Sequence, residues 1–332
     1  MDDDDAAAPP PPAPAPARGG RRWLTWLRWI GTGLGVAYLA AVVDFGRLWA
    51  ALTRASVGTL ALALVAISTS LVVGAARWRL LMSAYGAVAP PSLPTAIRLY
   101  FVAVFYNTYL PGGVAGDLVR GVVVRDSFGS RGATETIAVV LVERVLGLLA
   151  LFALVAVGLA LVGPRLAMSS SWWWWCVAGA AGAVAAVLLV PLARRLAPYL
   201  PGRLSTIAAK LPSVARGRAF AAAGLLSLGT QLLTVITGGL LLHELHPAAT
   251  FVDALFIVPL SAATAVLPIS VGGLGPRDAV FVTLCHQVLG MSAADGLAVS
   301  LLIWATNLMT GLIGGVLQLA RPLATRAQPP AA

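Results

Sequence analysis

Six stretches of about 20 mostly apolar residues constrain this chain first, because a run of that length crosses about 30 Å of hydrocarbon as a helix. They cover residues 23–43, 57–76, 134–162, 172–192, 219–242 and 296–320. Inside a bilayer every backbone N–H and C=O needs a partner within the protein, so only helices and closed barrels span it. Continuous runs of this length read as helices. A mean hydropathy of +0.87, with 59% hydrophobic and 11% charged residues, agrees with a polytopic membrane protein and not with a soluble globule.

Two further apolar regions, 93–127 and 251–289, break the pattern. The first holds Asn107-Thr108-Tyr109-Leu110-Pro111-Gly112-Gly113-Val114-Ala115-Gly116-Asp117-Leu118-Val119-Arg120. The second holds Leu267-Pro268-Ile269-Ser270-Val271-Gly272-Gly273-Leu274-Gly275-Pro276-Arg277-Asp278. Both read Leu-Pro, Gly-Gly, a further Gly, then an acid and a base in swapped order, and their Gly-Gly pairs lie 160 positions apart. The second arm of the first region, 114–127, is too short and too charged for an ordinary span. Both regions are therefore expected to be re-entrant helical hairpins with the motif at membrane depth, where irregular backbone is tolerated only under a cover of protein or beside a water-filled cavity.

The order becomes span, span, hairpin, span, and then the same again from Trp172. Three spans and one hairpin reverse the orientation, so the expected fold is an all-α polytopic membrane protein. It has about six full transmembrane helices plus two re-entrant hairpins, in inverted halves of about 21–165 and 166–322. Broken helices meeting near the midplane of an inverted repeat are an architecture of secondary transporters. With the N-terminus inside, fifteen of the 23 basic residues fall on the cytoplasmic side, Arg77 and Arg79 among them. Only Arg47, Arg54 and Arg165 fall in outside loops. That bias predicts cytoplasmic N- and C-termini in a plasma (inner) membrane.

Residues 1–20 form an acidic, Pro/Ala-rich stretch that cannot bury a core and reads as a disordered tail. Residues 323–332 read as a short C-terminal tail, leaving 21–322 as a single membrane domain. Cys176 and Cys285 sit in apolar runs without metal-ligand spacing, and His243 and His246 are too close for a zinc helix. No cofactor is expected, and no basic-plus-aromatic surface stretch suggests nucleic acid. Trp23, Trp26, Trp29 and Trp172 to Trp175 read as interfacial anchors.

The charges inside the apolar runs carry the functional signal. Glu143 and Arg144 lie about 14 Å into the run beginning at Thr134, close to the bilayer centre. A charge there costs at least about 2.5–3.5 kcal/mol on insertion scales. Adjacent helical residues point about 100° apart, so each needs its own partner. Asp117, Arg120, Arg277 and Asp278 are the available groups, and Asp117 and Arg120 share one face if the second arm is helical. Helix starts just after Gly112-Gly113 and at Pro276 present unpaired N–H groups. Together with Arg120, Arg144 and Arg277 they suit a phosphate-bearing headgroup. Simple ion-pair locking of the two halves explains the same charges equally well. The site is read as Asn107, Gly112, Gly113, Asp117, Arg120, Glu143, Arg144, Ser270, Gly272, Gly273, Arg277 and Asp278.

At these residues, with Gly147 and Pro268 through Gly275, the chain resembles the lysylphosphatidylglycerol synthase transmembrane-region family, also called flippase-like membrane proteins. The resemblance covers almost everything after the tail. It implies lipid translocation, since the equivalent region of the bifunctional synthases moves the aminoacylated lipid across the inner membrane. Asp278 stands where many relatives have Glu, and a soluble aminoacyl-transfer domain is not expected after Ala332. The leading expectation is thus a non-enzymatic, flippase-like protein for an anionic phospholipid or a polyprenyl-phosphate-linked lipid. Two alternatives stand beside it. One is an accessory subunit partnering a membrane glycosyltransferase or lipid synthase. The other is a membrane enzyme acting on a lipid phosphate through Asp117, Glu143 and Asp278.

Overall fold

The computed structural model describes residues 37, 41, 44–110, 115–163, 195–202, 205, 209, 217–264 and 275–321. Among these residues every regular element is helical. In chain order they are α1 (Phe45–Arg54), α2 (Val57–Ala84), α3 (Leu93–Tyr109), α4 (Ala115–Val124), α5 (Gly132–Val162), α6 (Gly217–Leu245), α7 (Phe251–Thr264), α8 (Pro276–Leu289) and α9 (Ala293–Ala320). Helices α2, α5, α6 and α9 are long and apolar enough to cross a membrane. These are the expected runs beginning near 57, 134, 219 and 296. The runs 23–43 and 172–192 lie largely outside the described residues. So do Gly112, Gly113, Ser270, Gly272 and Gly273.

Local chemistry sets the helix starts. Ser56 caps α2 by accepting from the Thr59 N–H, and Ser292 caps α9 by accepting from Asp295. Pro276 opens α8 directly after Gly275, whose φ of 85° few side chains adopt. Two sequence expectations need correcting. The segment holding Arg47 and Arg54 is not a loop: Asp44 accepts from Gly46 and Arg47 and starts helix α1. Arg77 is not a cytoplasmic loop residue either. Leu80, Leu81 and Met82 resume the apolar pattern behind it, α2 runs on to Ala84, and Arg77 is buried inside the bundle.

Packing follows a paired plan. Helix α2 lies along α6, α3 packs on α9, and α7 packs on α5. Within each broken region the arms pack on each other, α3 on α4 and α7 on α8. Glycines permit the closest approaches. A Cβ on Gly314 of α9 would stand 2.0 Å from the Phe101 carbonyl oxygen of α3. One on Gly158 of α5 would stand 2.8 Å from Phe256 Cα of α7. In the first broken region Gly116 brings α4 onto α3, where a Cβ would meet the Ala103 carbonyl oxygen at 1.9 Å.

Two apolar clusters fill opposite ends of the bundle. One gathers the end of α2 (Trp78, Leu81, Met82), the starts of α3 and α5, Val124 at the end of α4 and Phe128 beyond it. The other gathers the start of α7, the later part of α8, the start of α9 and the ends of α5 and α6. Thus α3 leaves one cluster and α4 returns to it, closed at the base by Val88 N–H donating to the Ser127 carbonyl at 2.9 Å. Helices α7 and α8 do the same at the opposite end. Between the clusters lies a polar layer. Ser70 donates to the Thr230 carbonyl at 3.2 Å, and Gln231 donates to the Gly147 carbonyl at 3.0 Å. Such interhelical bonds are a common glue in apolar surroundings.

Candidate functional site

Five ionised side chains form an alternating chain beside this polar layer. Arg77 of α2 donates to Glu143 of α5 at 2.9 Å, and Arg120 of α4 donates to the other Glu143 oxygen at 3.1 Å. Arg120 also reaches Asp117, one turn back on α4, at 2.8 Å. The second Asp117 oxygen accepts from Arg144 of α5. Glu143 and Arg144 therefore find separate partners, as their 100° divergence requires. Three guanidiniums against two carboxylates leave one positive charge in excess.

Burial along the chain is graded. The side chains of Arg120 and Glu143 are each 5% exposed, that of Asp117 14%, and that of Arg144 52%. Buried ions demand extra partners. Glu143 accepts the Tyr100 hydroxyl as well, and Arg77 also donates to Ser227 at 2.9 Å and to the Tyr100 oxygen at 3.3 Å. The Arg120 guanidinium lies 4.3 Å from the Tyr100 ring centroid and 5.0 Å from that of Trp78, a cation–π cradle. Even so, Nε of Arg77 and both Nε and Nη1 of Arg120 are buried without a hydrogen-bond acceptor.

A second, smaller cluster is built on α8 and α9. Arg277 donates to Asp278 at 3.0 Å and to Ser300 at 3.4 Å, and its guanidinium lies 5.1 Å from the Trp304 ring centroid. Ser300 donates to Asp278 at 2.6 Å. The other Asp278 oxygen accepts the Gly275 N–H at 3.1 Å. Asn107 does similar duty in the first region, its Oδ1 accepting the Gly116 N–H at 2.7 Å. The chain's own side chains thus occupy part of the N–H sets at both helix starts.

Of the sequence-predicted residues, the structure brings Asp117, Arg120, Glu143 and Arg144 into one network and Arg277 and Asp278 into another. Among the described residues no hydrogen bond or ion pair joins the two. Sequence reasoning missed Arg77, Trp78, Tyr100, Ser227, Ser300 and Trp304. Arg77 was findable by extending the second apolar run through the Arg77-Trp78-Arg79 interruption to Met82. Tyr100 and Ser227 carry no such signal, since an aromatic and a small hydroxyl are ordinary within apolar helices. Among the described residues no group of His, Cys, Asp and Glu is arranged to hold a metal ion.

Fold and site together define a multi-pass, all-helical membrane protein with a buried ionic centre among its helices. A family model described as the lysylphosphatidylglycerol synthase TM region matches residues 28–315, and the chain belongs to that family. The family is defined on a membrane region, which fits a non-catalytic membrane domain. No curated protein matches the chain.

Proposed function

We propose that this protein is a flippase-like lipid transporter. It takes the anionic headgroup of a phospholipid, or of a polyprenyl-phosphate-linked lipid, at the network of Arg77, Asp117, Arg120, Glu143 and Arg144. The observation that carries this reading is an excess positive charge together with three buried guanidinium N–H groups without an acceptor. A phosphate supplies strong acceptor oxygens, and Arg is the side chain best suited to meet them. Arg144, half exposed and paired to Asp117, stands at the open end of the network and meets the headgroup first.

The reading includes an inverted pair of halves with the broken regions as re-entrant hairpins. Its support is the packing plan. Ser70 and the Thr230 it touches are 160 positions apart, the same offset as the two Gly-Gly motifs. Helix α3 on α9 and α7 on α5 are matching contacts under that offset, and the two hairpins arise from opposite clusters. The protein is read as a resident of the inner membrane with both termini cytoplasmic, residues 21–322 forming the membrane domain. It acts on lipid without catalysis, and a partner glycosyltransferase or lipid synthase supplies or uses the lipid.

Proteoliposomes carrying trace fluorescent anionic phospholipid or labelled polyprenyl phosphate test the proposal. Inner-leaflet label should become accessible to dithionite in protein-containing vesicles and not in protein-free ones. Arg144→Ala should lower that rate at least tenfold while the protein still inserts. Unchanged bleaching with wild-type protein, or chemical conversion of the headgroup, would overturn the transporter reading. The first outcome favours an accessory role and the second an enzyme.

A further inference from the structure

Helix α1 has no part in the ionic network, and its surface is divided in an unusual way. At about 100° per residue, its residues fall into three sectors roughly a third of a turn apart. Leu48 and Ala51 form one sector, buried against the bundle where α1 packs on α9. Arg47, Ala50 and Arg54 form the second and are exposed, with Thr53 on its border with the third. Phe45 and Trp49 form the third, one turn apart, with 62% and 71% of their surfaces uncovered.

Neither bulk solvent accounts for this arrangement. In water the two aromatic rings would lie bare, and such exposed rings mark a contact surface. In hydrocarbon the charged groups would be stranded: the side chains of Asp44 and Arg47 are 60% and 75% exposed, and that of Arg54 is 60% exposed. The bundle itself marks a boundary at this level. Arg54 pairs with Asp295 in the first turn of α9 at 2.8 Å. Glu244, at the end of α6, accepts the Ser56 N–H at 2.8 Å and the Thr59 hydroxyl at 2.7 Å. Ionised groups concentrated where α2 and α9 begin and α6 ends belong at a membrane–water interface. Val57 and Phe251, at the starts of α2 and α7, are likewise uncovered.

We infer that α1 is an interfacial helix. Phe45 and Trp49 are inserted at the headgroup–acyl boundary of the leaflet on this side, the Arg47–Arg54 sector faces water, and the Leu48–Ala51 sector docks on α9. The occupant of the aromatic sector is phospholipid, the usual neighbour of an amphipathic helix carrying Trp and Phe on its apolar face.

Nitroxide scanning of the full chain in phosphatidylcholine vesicles tests this, with Cys176 and Cys285 replaced by Ala and single cysteines placed at 45, 47, 49, 50 and 53. Labels at 45 and 49 should collide with oxygen several-fold more often than with a water-soluble nickel chelate. Labels at 47 and 50 should show the reverse, and a label at 53, on the border, should fall between the two. Using two sites per sector guards against one label disturbing the helix. Two results would overturn the inference. Equal nickel access at 45 and 50 would put the aromatic sector in water. Shielding of 45 and 49 from both reagents would mean that protein covers it, either residues 23–43 of this chain or a second copy.

Discussion

Glu143 is the residue on which the buried network turns, because one carboxylate pairs with two guanidiniums that reach it from different helices. Replacing it with Gln keeps the shape but leaves Arg77 buried without a counter-charge and Arg120 with Asp117 alone. Breaking a buried pair in this way destabilises by about 3–5 kcal/mol, so Glu143→Gln should unfold at a markedly lower temperature in detergent. Arg144 is the contrasting case. Its side chain is 52% exposed, and a pair of that kind contributes about 0–1 kcal/mol. Arg144→Ala should therefore melt close to wild type while its lipid movement falls, which separates the functional role from the structural one. A Tm for Arg144→Ala as low as that for Glu143→Gln would assign Arg144, too, to locking the fold. The Asp117–Arg120 partnership was legible in the sequence because three-residue spacing on a helix is local geometry. The Arg77–Glu143 pair, 66 positions apart, was not.

At the level of elements, close helix contacts rest on glycines in a few definite places. Gly116 lets α4 press against the α3 backbone, and an added methyl would meet the Ala103 carbonyl oxygen at 1.9 Å. The arms must then move apart, which disturbs the bond from the Gly116 N–H to Asn107 of α3, and Asp117 one position beyond Gly116. Overpacking of this kind costs about 1–3 kcal/mol, so Gly116→Ala should lose stability and lipid movement together. Gly224 in α6 has nothing within 4 Å of the equivalent methyl position. Gly224→Ala should be neutral or gain up to about 1 kcal/mol from helix propensity, measured by the same thermal unfolding. The apolar runs announced α2, α5, α6 and α9 well, with ends shifted by several residues. Helix α1 escaped notice because ten residues with two arginines look like a loop when only long apolar runs are sought.

For the molecule as a whole, the opposite clusters to which the two broken regions return make a topological prediction. Val88 and Asp126 flank α3 and α4 at one end, whereas Ala248 precedes α7 and Gln287 lies in the last turn of α8 at the other. In the background lacking Cys176 and Cys285, single cysteines at 88 and 126 should react with a membrane-impermeant maleimide from the same side. Cysteines at 248 and 287 should react from the opposite side. Labelling of all four from one side would end the inverted-halves reading, whatever the transport assays give. Two similar motifs at one offset were visible in the sequence. The matching contacts of α3 with α9 and α7 with α5 were not, because packing partners depend on how each helix is rotated and how deep it sits.

What the sequence determined by itself is the solvent and the secondary structure. Runs of about 20 apolar residues must close their own backbone hydrogen bonds in hydrocarbon, and a helix does so within one segment. It also determined pairings within a helical turn, such as Asp117 with Arg120. Tertiary structure alone decided which buried acid meets which base, that Tyr100 and Trp78 hold Arg120, and that α1 docks on α9. Those choices depend on rotations and approach distances set by many small contacts at once, and no local spacing in the chain encodes them.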